Sequence, residues 1–213
     1  MPGLSRLTGS AGSPVCAVFF ACALIRRCKN GYTVPYRIFK EGLPMDRSVF
    51  AKAELYGALA VLCACFVCHF LYRWTGENPL IGLVCPVNES VWEHGKLLFF
   101  PFLLAACAER LLLRVPPMPF WAAKSCALLL GPALMIAFYY TYTGIFGVHC
   151  LWVDILSCAA WVFVMFAVSC RLAQRSGPLP GWAPWCCAGA AALCLLFFVF
   201  TLAPPDWPLF RSA

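Results

Sequence analysis

The chain has 213 residues, 62% of them hydrophobic and 15% aromatic, with 12% charged and a formal net charge of +7. Soluble domains carry about a quarter charged residues, so this composition, with a mean hydropathy of +0.80, excludes an ordinary soluble fold. Positive charge in so apolar a chain is read through membrane orientation rather than nucleic acid.

Residues 1–50 mix Gly, Ser and Pro with seven basic side chains and hold one apolar run, Val15 to Ile25. Eleven residues are too few to cross ~30 Å of hydrocarbon, and Arg26-Arg27 is a poor cleavage signal. The segment reads as a cytoplasmic or interfacial extension, with a short sixth membrane segment as the alternative. Residues 51–213 read as one multi-pass transmembrane domain.

Five runs in this domain are each long enough to span a bilayer at 1.5 Å per residue. They are Glu54 to Tyr72, Trp92 to Leu113, Phe120 to Tyr142, Val148 to Leu172 and Trp182 to Leu202. Gly and Pro punctuate the intervals at Gly76 to Pro86, Pro116 to Pro119, Gly144 and Gly177 to Gly181. The fold class is therefore all-α, an integral membrane bundle of about five transmembrane helices. With the N-terminus cytoplasmic, thirteen of the 16 Lys and Arg residues fall on the inner side. Only Arg73, Lys96 and Arg211 fall outside, and that bias selects the orientation. The 73–95 loop, the 142–148 turn and the C-terminal tail are then extracytoplasmic.

The 15 cysteines suggest a disulfide scaffold by number alone. Most lie inside apolar runs, where a thiol packs as a small hydrophobe. Cys85 and Cys150 flank the outer face, and a bridge between them is one option if that face is oxidising. Cys65-Phe66-Val67-Cys68-His69 matches the CxxCH pattern of covalent haem attachment. The match lies within an apolar span, where haem would displace packed helices, and short patterns arise by chance in a cysteine-rich chain.

All three histidines, His69, His94 and His149, sit where spans meet the outer face, with Glu89, Glu93 and Asp154 beside them in sequence. Polar groups at a membrane boundary are costly and usually kept for function. Read as helix, Pro86 to Lys96 puts Glu89 and Glu93 on one face and His94 on the next. With His69, His149 and Asp154, these residues could hold a divalent metal such as zinc, which takes about four nitrogen and oxygen ligands. Glu89, Glu93 and Tyr140 are the candidates for acid–base work, and His69, His94, His149 and Asp154 for metal ligation. The bland alternative is strong. Ser90-Val91-Trp92-Glu93 fits a capping box, Asn88 is a second cap, and Trp92 suits an aromatic belt. His149 and Asp154 are about 140° apart on a continuous helix, so Asp154 should seek His69, His94 or Tyr140 on another helix. Glu109-Arg110 reads as a local or snorkelling pair.

Four stretches carry a resemblance: HFLYRWTG (69–76), PLIGLVCPVNESVWEHGKLLFFP (79–101), YYTYTGIFGVHCLWVDILS (139–157) and TLAPPDWPLF (201–210). They resemble a family of small multi-pass bacterial membrane proteins of unknown function, with Gly95 a departure from a bulky apolar residue in the family pattern. The resemblance implies an integral protein of a bacterial cell membrane and supplies no activity.

Three functions follow as expectations. The first is a structural or otherwise unassigned membrane protein. The second is a metal-dependent interfacial hydrolase or lipid-modifying enzyme. The third is a module that binds or transports a small solute of unknown identity. The bilayer is the expected partner. The small-residue run Gly189-Ala190-Ala191-Ala192 would permit a homo-oligomer. No P-loop or GxGxxG supports nucleotide binding.

Overall fold

The structure is a computed structural model that describes residues 47–113, 117–174 and 180–212. The Val15 to Ile25 run, and with it the question of a sixth segment, lies outside the described residues. Five long helices correspond to the five apolar runs: α1 (Arg47–Trp74), α3 (Val91–Leu113), α4 (Pro117–Phe146), α5 (Leu151–Ala173) and α6 (Ala183–Leu202). A single turn, α2 (Pro79–Gly82), lies in the first outer loop, and a 3₁₀ turn at Pro208–Phe210 lies in the tail. The chain is an all-α helical bundle, and no strand occurs among the described residues; Ser90 and Ser212 form an isolated antiparallel bridge.

Glycine sets two of the helix ends. Gly76 takes φ +68°, and the amides of Gly76 and Glu77 donate to the carbonyls of Arg73 and Tyr72. That is a Schellman closure of α1, which needs a left-handed residue at this position. Gly147, at φ +67°, closes α4 through its amide and the Thr143 carbonyl.

Four of the long helices are long and apolar enough to cross a membrane: α1, α4, α5 and α6. The exception is α3, which carries Glu93, Lys96, Glu109 and Arg110 along with Pro101. It is the central helix. More than half of its 23 residues are buried, among them Leu98, Phe99 and Phe102. A central helix can carry charge because its neighbours, not lipid, surround it, and three of these four charged side chains are paired inside the bundle.

The outer surface of the bundle is apolar instead. Phe66, Leu104, Leu111, Leu156 and Leu195 are each more than 60% exposed, and Trp74, Trp152, Trp185 and Trp207 stand out near helix ends. Aromatic rings at the ends of apolar helices match the belt found at membrane–water boundaries.

Close approach is built in at several glycines. A Cβ on Gly131 of α4 would overlap Met165 of α5. One on Gly95 would lie 3.1 Å from Phe197, which explains why a small residue stands there. Gly189 lies against Leu129 of α4, and Ala190 is buried. This part of the small-residue run is therefore engaged inside the bundle, in α4–α6 packing. The C-terminal tail closes the same end of the core: Trp92 packs against Phe197, Phe200 and Phe210 at ring-centroid separations of 4.8, 5.5 and 5.1 Å.

Candidate functional site

Consecutive long helices run antiparallel, and side-chain contacts mark both ends. At one end, Tyr142 near the close of α4 meets Asp154 in the first turn of α5. His69, near the end of α1, meets His94, in the first turn of α3. At the other end, Glu54 early in α1, Glu109 late in α3, Lys124 early in α4 and Ser169 late in α5 come together.

The first end holds a group with metal-ligand spacing. His69 and Arg73 share a face of α1, one turn apart. Glu89 precedes α3, and His94 lies in its first turn. The ligand atoms of His69, Glu89 and His94 all lie within 4.8 Å of one another. Both imidazoles aim Nε2 at the same oxygen, Glu89 Oε2, at 4.0 Å from His69 and 3.4 Å from His94. The other oxygen, Oε1, lies 3.6 Å from Arg73 Nη2. His94 Nδ1 donates to the Ser90 carbonyl at 2.9 Å, which leaves the Nε2 lone pair of the neutral ring free to ligate. His69 Nδ1 is buried with no hydrogen-bond partner among the described residues, so the polar contacts of this ring are made at Nε2. Side-chain exposure of 30–51% leaves the group open to solvent.

Glu93 does not join it. Helix α3 begins at Val91, after Glu89, so the two carboxylates do not share the helical face expected of them. Glu93 turns inward, where its Oε2 accepts from the Val87 amide at 2.9 Å and from Lys96 Nζ at 2.8 Å. Lys96, fully buried, also donates to the Gly82 carbonyl at 2.8 Å. Half of the expected capping box forms: the Glu93 amide donates to Ser90 Oγ at 3.3 Å. The return bond does not, because Asn88 Oδ1 accepts from the Ser90 amide at 2.9 Å.

His149 and Asp154 form a second cluster, outside the metal-spaced group. His149 Nε2 lies 2.8 Å from Asp154 Oδ2, and Tyr142 donates its hydroxyl proton to Asp154 Oδ1 at 2.6 Å. This corrects the expectation that the two residues could not meet. Helix α5 starts at Leu151, so His149 belongs to the extended turn before it and folds back over the first turn. Tyr142, rather than Tyr140, partners Asp154. Residues two apart point about 160° away from each other on a helix, and the Tyr140 ring packs edge-on against Tyr139. Tyr142→Phe is expected to lower stability by about 1.5–3 kcal/mol, the worth of a hydrogen bond to a charged group, as read by chemical unfolding in micelles. A change near zero would show that this bond is not held.

The optional bridge between Cys85 and Cys150 is not formed. Cys85 is buried and neighbours Cys68, Cys150 takes the N-cap position of α5, and both are free thiols. The Cys68 thiol, hydrogen-bonded to Cys85, together with burial pushes the Cys85 thiol up, which keeps it protonated. Cys65, the first cysteine of the CxxCH pattern, donates to the Leu97 carbonyl at 2.9 Å.

The opposite end holds a cluster that sequence reasoning missed. Lys124 Nζ contacts Glu54 Oε2 at 2.8 Å and also pairs with Glu109 Oε2, while Ser169 donates to Glu54 Oε1 at 2.9 Å. Glu54, Glu109 and Lys124 are all at most 4% exposed. The Phe102, Phe120 and Phe166 rings surround the ammonium at 5.1, 5.4 and 4.9 Å. Glu109 is thus no snorkelling partner of Arg110. A buried charge requires a partner, and that rule applied to the three charges together was the available signal.

A family of unknown function (DUF6512) has a model that matches residues 47–213, and the chain belongs to that family. No curated protein matches the chain. No solved structure matches it either.

Proposed function

We propose that this member of a family of unknown function is a multi-pass integral membrane protein that binds a divalent transition metal at His69, Glu89 and His94. Multi-pass insertion rests on the four apolar helices, the antiparallel succession and the lipid-like exterior. The excess of Lys and Arg sets the N-terminus in the cytoplasm and the metal face outside. Lys96 and Lys124 are buried and paired rather than loop charges, but removing one from each side leaves the bias in place. A bacterial cell membrane is the location that fits the family resemblance.

The observation that carries the metal reading is the convergence of two imidazole nitrogens on one carboxylate oxygen. Ligands of a tetrahedral zinc stand about 3.3 Å apart, given bonds of about 2.0–2.1 Å. The imidazole-to-carboxylate separations are 3.4 and 4.0 Å, and all three ligand atoms lie within 4.8 Å of one another, so side-chain movements of up to about 1.5 Å would close the site to that spacing. Arg73 on Glu89 Oε1 and the Ser90 carbonyl on His94 Nδ1 are the outer contacts that orient metal ligands. Two imidazoles and one carboxylate would hold the ion with a position left open, and a zinc there would supply Lewis-acid activation of water near neutral pH. Hydrolysis at the membrane face is then the activity class to screen.

A calorimetric zinc titration of chelator-treated protein in micelles tests the reading. One site per chain is expected, weakened about 100-fold or more by His69→Ala or His94→Ala, since even outer contacts carry 10–100-fold. His149→Ala should leave the affinity unchanged. Wild-type protein that takes up no zinc would refute the site and leave Glu89 as the centre of an ion-pair group.

A further inference from the structure

The buried cluster at the opposite end is independent of the metal reading and has its own charge problem. It contains two carboxylates, Glu54 and Glu109, and one ammonium, Lys124. Fully ionised, it would carry a net charge of −1 in a pocket walled by Phe102, Phe120 and Phe166. Isolated charge in such surroundings is strongly disfavoured, and a carboxyl group there takes up a proton instead. Neutralising Lys124 would make the balance worse.

The two acids are not equivalent. Both oxygens of Glu54 are satisfied, Oε1 by the Ser169 hydroxyl and Oε2 by Lys124. Glu109 has Lys124 beside Oε2 only, and its Oε1 is buried with no hydrogen-bond donor among the described residues. That atom faces Gly57 of α1, so closely that a Cβ there would lie 2.6 Å from it. A metal ion with its water shell has no room. A proton needs none. Cys170 of α5, whose thiol feels Glu54, Lys124 and Glu109, is a further titratable group beside the cluster among the described residues.

We propose that this cluster is a proton-binding site, occupied at neutral pH by one proton taken from water onto Oε1 of Glu109. The new O–H bond brings the cluster from −1 to neutral. Four helices, α1, α3, α4 and α5, are then held together by a contact that contains a titratable proton. Loss of that proton places an uncompensated charge among them and loosens this end of the bundle.

Infrared spectroscopy of the full chain in lipid nanodiscs tests this directly. At pH 7 the wild type should show the carbonyl stretch of a protonated carboxylic acid, shifting in D₂O. Glu109→Gln, which keeps the shape of the neutral acid, should fold with wild-type thermal stability and lose the band. Lys124→Met should roughly double it, since neither acid then has a counter-charge. No band in the wild type, or a band that survives Glu109→Gln, would overturn the proposal. The comparison of wild type with Glu109→Gln decides it even if the Lys124 variant fails to fold.

Discussion

Lys124→Ala is expected to destabilise the bundle by about 3–5 kcal/mol, the range for removing one partner of a buried ion pair. The ammonium is fully buried, joins Glu54 of α1 to Glu109 of α3, and lies among three phenyl rings. Its loss strands Glu54 and Glu109 without their shared partner and leaves a void. Unfolding in micelles measures the change. Replacing all three groups with neutral counterparts, Lys124→Met with Glu54→Gln and Glu109→Gln, should recover much of the loss, because whole buried ion groups are often replaceable by packed neutral ones. A Lys124→Ala effect within about 0.5 kcal/mol, as at ordinary surface sites, would contradict the geometry.

Lys96→Ala is expected to have an effect of similar size, about 3–5 kcal/mol by the same argument, at the other end. Its ammonium ties Glu93 to the Gly82 carbonyl and so fastens the 79–90 loop onto α3. Without it, Glu93 stays buried and uncompensated, and the loop carrying Glu89 loses its anchor. Two further readouts follow. Cys85, only 1% exposed, should become reactive toward thiol reagents when mapped by mass spectrometry, and zinc affinity should fall although no ligand has changed. The Arg211–Asp206 pair is exposed, so Arg211→Ala should change stability by no more than about 1 kcal/mol. Equal behaviour of the two variants would show that Lys96 does not hold the loop.

The helices were legible in the sequence because apolar length is a strong signal; each long helix overlays an expected span to within four residues at either end, except that α1 begins seven residues early, at Arg47. The neighbourhood of His69, Glu89 and His94 was legible too, because the end of one span and the start of the next come onto one face when consecutive spans run antiparallel. What failed was local geometry and long-range pairing. The angle between His149 and Asp154 was reckoned on a helix that starts two residues after His149. Glu89 and Glu93 were placed on one helical face, but the chain turns between them. The Glu54–Lys124–Glu109 cluster is not evident residue by residue, because each charge alone resembles an ordinary charge near a membrane boundary. Their partners lie 70 and 115 residues away for Glu54, at Lys124 and Ser169. The central place of α3 was not evident either, since hydropathy reports apolar length and not which helix its neighbours enclose.

Elemental mass spectrometry on micelle-purified protein tests the central claim most directly, with wild type, His94→Ala and His149→Ala prepared side by side. Near-stoichiometric zinc or another transition metal in the wild type and in His149→Ala, lost in His94→Ala, is the result expected for a centre built on His69, Glu89 and His94. Folded wild-type protein that stays metal-free after incubation with zinc, or metal lost with His149 rather than His94, would contradict it.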